Sequence, residues 1–102
     1  MNKKQLEKIL KNKLELGKYI EAIDILCEQI EKIYINKVKE HNGAYNYKSI
    51  NKIAEEVEKY ATVRELNLFK AYYLVINEDE HPLYKLEILT DIYNKLKKGD
   101  KT

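Results

Sequence analysis

The chain has 102 residues, of which 44% are hydrophobic and 35% are charged, and it contains only 3 Gly, 1 Pro and 1 Cys. This length predicts a single domain over residues 1–102, and the scarcity of turn residues argues against an all-β fold. The net charge of +2, from 19 basic and 17 acidic side chains, is too balanced to indicate nucleic-acid binding by charge alone.

The first predicted helix covers residues 3–16 and ends at Gly17, because glycine readily adopts the left-handed conformation of a helix end. A tight turn at Gly17 would pack this helix antiparallel to the next one. Six lysines and two glutamates precede Tyr19. We interpret this positive excess as a solvated helix face, with a phosphate-binding surface as the alternative. The apolar face carries Leu6, Ile9, Leu10 and Leu14.

The second stretch, residues 19–38, has the broadest apolar surface and is expected to form the central helix. Its apolar positions step mostly by three or four residues, and a second set beside them widens the stripe. Cys27 falls in this apolar part without a basic partner close in sequence, so we expect an unreactive, buried thiol. The two sets are Tyr19, Ile23, Leu26, Ile30, Ile33 and Val38, and Ala22, Ile25, Cys27, Tyr34 and Ile35.

Two more helices are predicted before residue 77. Ser49 is a candidate N-cap for the third helix, in which apolar residues recur every three or four positions. Thr62 and Glu65 have the spacing of a capping box, in which each side chain accepts a hydrogen bond from the other residue's backbone amide. We therefore expect the chain to break or kink at Thr62 before a fourth helix begins at Val63.

Pro82 predicts the start of a fifth helix, because its missing N–H costs nothing in a first helical turn. The negative charge of Asp79 or Glu80 would stabilise the positive N-terminal end of that helix. We expect the helix to continue to about Lys98 and to end at Gly99. Five helical segments joined by short connections predict an all-α fold, an antiparallel helical bundle of four to five helices.

The sequence predicts no catalytic, metal or cofactor site. His41 and His81 lie in segments expected to be loops, and the acidic residues beside His81 match neither a calcium loop nor a zinc motif. The glycines are isolated, and no Ser-His-Asp or Cys-His set can be argued. Without a run of about 18 apolar residues or an apolar signal core, we expect a cytoplasmic protein with no membrane partner.

The first two predicted helices resemble the opening helix pair of HEPN domains (higher eukaryotes and prokaryotes nucleotide-binding domains). The resemblance rests on the pattern L-x-x-I-L-x-x-x-L-x-L-G-K-Y-x-x-A-I at residues 6–23, followed by E-x-x-Y-I-N-K-V at residues 31–38. The remaining order of helices and loops is also similar to that family, although without specific motifs.

Catalytic HEPN members are metal-independent ribonucleases with an arginine, a short polar spacer and a histidine on the fourth helix, in a site assembled by dimerisation. This chain departs from that pattern, because its only arginine is Arg64 and no histidine follows before His81. It therefore lacks the usual general acid/base for strand cleavage, and the resemblance implies a non-catalytic binding or dimerisation module. Arg64, Asn67 and Lys70 share one helix face by spacing, as a remnant of the motif or as a surface for an acidic partner.

Residues 16–23 are also similar to a tetratricopeptide repeat. That interpretation fails, because its 34-residue period places Glu56 and Thr90 where small residues should recur.

Nine tyrosines, beside one phenylalanine and no tryptophan, are the most unusual feature of the composition. A tyrosine edge suits a protein interface, while base stacking is the less favoured reading. Our leading hypothesis is a non-enzymatic interaction module that binds itself, as a homodimer, or another protein. The alternatives are a HEPN-like RNA-acting protein, either a ribonuclease or an antitoxin relative, and a helical subunit whose core another chain completes. The candidate binding surface comprises Arg64, Asn67, Lys70, Tyr72 and Tyr73.

Overall fold

Five helices and no strand make up the computed structural model, which describes residues 1–41 and 50–99. The prediction of an all-α helical bundle is confirmed. Ser49, the predicted cap of the third helix, and the tail after Gly99 lie outside the described residues. The helices are α1 (Lys3–Glu15), α2 (Tyr19–His41), α3 (Ile50–Tyr60), α4 (Val63–Asn77) and α5 (Pro82–Gly99).

Local sequence signals set both ends of α1. The Asn2 side chain accepts a hydrogen bond from the Gln5 amide at 2.8 Å, and the Gln5 side chain accepts one from the Asn2 amide at 3.0 Å. This capping box was not expected from the sequence. At the other end, Gly17 has a φ of 72°, a conformation that is strained for any residue with a Cβ. The predicted turn between α1 and α2 is therefore confirmed.

The predicted break at Thr62 is also confirmed. Its hydroxyl accepts a hydrogen bond from the Glu65 amide at 3.1 Å, and the Glu65 carboxylate accepts one from the Thr62 amide at 2.8 Å. Both halves of the capping box are present, so α4 begins as a separate helix immediately after α3.

The two histidines lie at helix ends. His41 is the last residue of α2, so its predicted loop position is wrong, and its ring stacks on Tyr60 at the end of α3 with centroids 4.7 Å apart. His81 precedes α5, where its Nδ1 accepts a hydrogen bond from the Leu83 amide at 3.1 Å. The His81 side chain thus caps the N-terminus of α5, the helix end that the charge of Asp79 or Glu80 was expected to stabilise.

The central position of α2 follows from its width of apolar surface. It packs against α1, α3 and α5, and the Tyr34 ring contacts Phe69 of α4 with centroids 5.2 Å apart. Each fully buried aliphatic side chain contributes about 1.5–3 kcal/mol by its removal from water. Leu14, by contrast, is 39% exposed although its spacing predicted a buried position. The fully buried residues of α2 are Ala22, Leu26, Ile30, Tyr34 and Val38.

Polar contacts with α2 fix the start of α4. The buried Tyr34 hydroxyl donates to the backbone carbonyl of Glu65 at 2.7 Å. The Lys37 ammonium pairs with the Glu65 carboxylate at 2.5 Å, and both side chains are largely removed from solvent. Glu65 therefore joins the cap of α4 to the central helix and holds the first turn of α4 against it.

Candidate functional site

The candidate surface lies on α4, whose buried face contains Phe69, Tyr72 and Val75. On one side of that face α4 packs against α5. On the other side it faces α3, with which it shares little close packing among the described residues. The predicted binding residues are distributed around these different sides of the helix.

Arg64 lies on the side that packs against α5. Its Nη2 donates a hydrogen bond to the backbone carbonyl of Lys95 at 2.8 Å, close to the negative C-terminal end of α5. Asn67 is exposed, and Lys70 lies on the side that faces α3. The structure therefore divides the three polar residues that were expected to form one surface.

Tyr72 is not a surface residue, which corrects its place in the predicted site. It is 1% exposed, and its hydroxyl donates to the Glu31 carboxylate of α2. Its neighbour Tyr73 is half-buried and packs its ring on Phe69 with centroids 4.8 Å apart. Adjacent helical residues point about 100° apart, so one of the two tyrosines enters the core while the other reaches the edge.

The Tyr72 hydroxyl also lies beside the thiol of Cys27, which is partly buried between the helices. Burial raises the pKa of Cys27 to about 11; the hydrogen bond with Tyr72 opposes this effect, while the negative charges of Glu31 and Asp24 add to it. Burial also raises the pKa of the Tyr72 hydroxyl, and its hydrogen bond to Glu31 acts in the same direction. At neutral pH both groups are protonated, which suits a structural contact rather than a nucleophile.

An open groove of about 450 Å³ separates α3 from α4. Its floor includes the rings of Phe69 and Tyr73, and Leu74 stands at its edge with 63% of its surface exposed. A groove of this size falls in the range of roughly 300–1,000 Å³ that is common for binding sites. Its lining residues are Ala54, Glu58, Leu66, Phe69, Lys70, Tyr73, Leu74 and Asn77.

The charged residues of the groove have opposite signs and lie on opposite walls. Glu58 belongs to α3 and Lys70 to α4, and both are exposed. Neither forms an ion pair among the described side chains. Asn77, at the end of α4, uses its amide to donate to the backbone carbonyl of Tyr73 at 2.9 Å. The groove thus combines an apolar floor with one acidic and one basic group.

The sequence identified Lys70 and Tyr73 of this groove but missed Glu58 and Leu74. Glu58 was indistinguishable from the other acidic residues of a solvated helix face. Leu74 was the detectable signal, because it is a large apolar residue that belongs to neither apolar stripe of its helix. The groove itself depends on the gap between α3 and α4, which no local pattern encodes.

Comparison with family models, curated proteins and solved structures found no match to this chain. The resemblance to HEPN domains therefore stays a prediction.

Two other classes of site are a metal-binding cluster and a membrane-spanning helix. Within residues 1–41 and 50–99, no group of three or more His, Cys, Asp or Glu side chains is arranged to hold a metal ion. None of the described helices has both the length and the hydropathy that a bilayer span requires.

Proposed function

We propose that this chain is a non-catalytic interaction module that binds a protein through the groove between α3 and α4. The observation that carries the proposal is the apolar groove formed by the described residues of α3 and α4, with Leu74, 63% exposed, among its lining residues. An exposed leucine alone is ordinary on a protein surface. An exposed leucine beside a concave apolar surface is typical of a contact site. A partner that binds there removes both apolar surfaces from water, which is favourable.

The shape of the groove favours a helical partner. Its described lining residues come from two helices and it is open to solvent, and an amphipathic helix can place residues spaced by three or four positions into a groove between helices. Tyr73 supplies an aromatic surface with little conformational freedom to lose, which is a common property of residues at interface centres.

The electrostatics of the groove suit a protein better than a nucleic acid. A phosphate backbone would gain from Lys70 but would be repelled by Glu58 on the facing wall. Arg64, which takes the place of the arginine in the HEPN motif, donates a hydrogen bond to a backbone carbonyl of α5 and does not line the groove. Burial raises the pKa of the Cys27 thiol to about 11, which argues against this thiol as a nucleophile.

Site-specific photo-crosslinking tests the proposal. A benzophenone amino acid replaces Leu74 in the chain expressed in its native cells, and a matched control replaces Ile20, which has the same 63% exposure but lies on α2. We expect a protein adduct at position 74 that is absent at position 20, with the bound protein identified by mass spectrometry. Adducts at neither position, or equal adducts at both, would overturn the proposal.

A further inference from the structure

We infer that the turn between α1 and α2 binds the surface of a membrane that contains anionic phospholipids. Leu16 and Ile20 would enter the lipid, and the lysines beside them would contact the headgroup phosphates. This contact goes beyond the proposed function, because it uses a different surface from the groove. The sequence predicted no membrane partner because it has neither a spanning segment nor a signal core, but a contact with the lipid surface requires neither.

The backbone of the turn is fixed by the hydrogen bonds of a Schellman motif. The amide of Lys18 donates to the carbonyl of Lys13 at 2.9 Å, and the amide of Gly17 donates to that of Leu14 at 3.1 Å. Apart from its two chain neighbours, no described residue has an atom within 4 Å of the position that a Cβ on Gly17 would take. The turn therefore presents its outer side to the surroundings from a defined conformation.

Aliphatic side chains are exposed on both sides of Gly17. Leu16, the last residue before it, is 61% exposed, and Ile20, in the first turn of α2, is 63% exposed. Leu14 is also exposed, at the end of α1. A single exposed leucine is ordinary, but three aliphatic side chains within seven residues form an apolar surface at one end of a helix pair. Contact with lipid would remove this surface from water, which is favourable.

Positive charge lies beside these aliphatic side chains. An apolar contact frequently joins the two positions of a Schellman motif that Lys13 and Lys18 occupy here. Their ammonium groups instead converge on the Glu21 carboxylate, at 3.8 and 3.9 Å, and one carboxylate cannot neutralise two ammonium groups. Residues 11–21 contain three lysines and two glutamates, and residues 3–10 add three lysines and one glutamate. The turn and the helix before it therefore carry a positive surplus.

The combination of aliphatic and positive side chains favours a lipid surface over other partners that carry phosphate. A nucleic acid offers phosphates to the lysines, but it has no acyl layer to receive Leu16 and Ile20. An anionic bilayer offers both, because aliphatic side chains can enter the boundary of the acyl region while lysine stems reach the headgroups. Two aliphatic side chains and a small positive surplus give a reversible contact rather than a stable anchor.

Co-sedimentation of the purified chain with lipid vesicles tests this contact. One set of vesicles contains phosphatidylcholine alone, and the other contains equal amounts of phosphatidylcholine and phosphatidylglycerol. At low salt the chain should bind the anionic vesicles at least about fivefold more strongly, which is the effect of about one positive charge near an anionic surface. High salt should remove this preference, because it screens the lysines from the headgroups.

Substitutions in the turn separate the apolar contribution from the electrostatic one. Leu16→Ser and Ile20→Ser should each weaken binding to anionic vesicles about tenfold, because less apolar surface then leaves water. Lys18→Gln should weaken it about fivefold at low salt and have little effect at high salt.

Matched controls lie away from the turn. Val63→Ser changes a side chain that is 78% exposed at the start of α4. Lys32→Gln removes a lysine that, like Lys18, has an exposed pairing with a glutamate of its own helix, about 20 Å along α2 from the turn. Both controls should bind like wild type, and circular dichroism of every variant checks that the helices are intact.

The outcomes identify the source of the phosphate. Equal binding to both kinds of vesicle, binding to neither, or anionic binding that Leu16→Ser and Ile20→Ser leave unchanged would overturn the lipid contact. Displacement from the vesicles by inorganic phosphate at the concentration of the lipid phosphate would show a site for free phosphate instead. Binding to single-stranded RNA but not to vesicles would assign the lysines to a nucleic acid. None of these results bears on crosslinking at position 74, which tests the groove separately.

Discussion

Replacement of Glu65 by glutamine should destabilise the fold, because this residue carries the charged contact between α2 and α4. The side chains of Glu65 and Lys37 are 12% and 27% exposed, so solvent screens the pair less than it screens a surface pair. Surface pairs contribute about 0.2–1 kcal/mol, and hydrogen bonds to charged groups about 1.5–3 kcal/mol. Glutamine can keep the acceptor of the capping box, so the substitution removes mainly the charge. We expect a loss of about 1–2 kcal/mol in the free energy of unfolding at pH 7, or about 4–16 °C in Tm.

This loss should depend on pH. Burial opposes ionisation of Glu65, but the hydrogen bond from Lys37 and those from Thr62 outweigh it and hold the pKa of the carboxyl below its usual range. A carboxyl with a lowered pKa in the folded state stabilises the fold above its unfolded pKa of about 4.3, and the contribution disappears as pH falls through the folded pKa. The stability difference between wild type and Glu65→Gln should therefore be largest at neutral pH and should vanish in acid.

Urea unfolding followed by circular dichroism, from pH 7 down to pH 2, measures this difference. Asp91→Asn is the control, because Asp91 and Lys95 form an exposed pair at 2.9 Å on one helix, and its loss should cost at most about 0.5 kcal/mol. In a Lys37→Met background, Glu65→Gln should lose most of its effect. Equal stability of wild type and Glu65→Gln at pH 7, or a difference that persists unchanged into acid, would refute this reasoning.

Three further predictions concern the core, the thiol and nucleic acid. Leu26→Ala, at a fully buried position of α2, should lower the free energy of unfolding by about 2–5 kcal/mol, while Leu74→Ala, measured on dilute monomer, should change it by less than about 0.5 kcal/mol; similar losses would refute the burial pattern. The Cys27 thiol, with a pKa of about 11, should react with a disulfide reagent at pH 8 at least about a hundredfold more slowly in the folded chain than in denaturant; equal rates would show an accessible, unperturbed thiol. The chain should bind single-stranded RNA only as weakly as a slightly basic protein surface does, and it should not cleave the RNA. Tight binding with a steep salt dependence, or cleavage, would favour the HEPN-like alternative over a protein-binding module.

Much of the backbone plan could be predicted from the sequence because three of the helix boundaries have a local cause that the sequence shows. Gly17 supplies the left-handed turn, Thr62 with Glu65 supplies the capping box, and Pro82 opens the last helix. The central place of α2 could also be predicted, since a helix with so wide an apolar surface needs neighbours on several sides. These features depend on residues that are close in sequence.

The site could be predicted only in part, because its residues depend on how the helices pack. Both apolar stripes of α4 had suitable spacing, and the packing of the helices decides that Tyr72, which is 1% exposed, rather than Tyr73 enters the core. Arg64 had the spacing of a shared polar face, but a carbonyl of α5 lies within its reach. The exposed Leu74 indicates a contact site only together with the groove between α3 and α4 that it lines, and the sequence does not show that groove.

Dilution of the wild-type chain with labelled methyl groups, followed by NMR, tests most directly whether the groove mediates the self-association that the leading hypothesis includes. As the concentration rises from about 1 µM to about 1 mM, we expect the methyl signals of Leu66 and Leu74 to shift together along one binding curve. Those of Ile20 and Leu83, which are exposed elsewhere on the bundle, should stay constant. Signals of Leu66 and Leu74 that do not change with concentration, or shifts confined to Ile20 and Leu83, would contradict self-association through the groove.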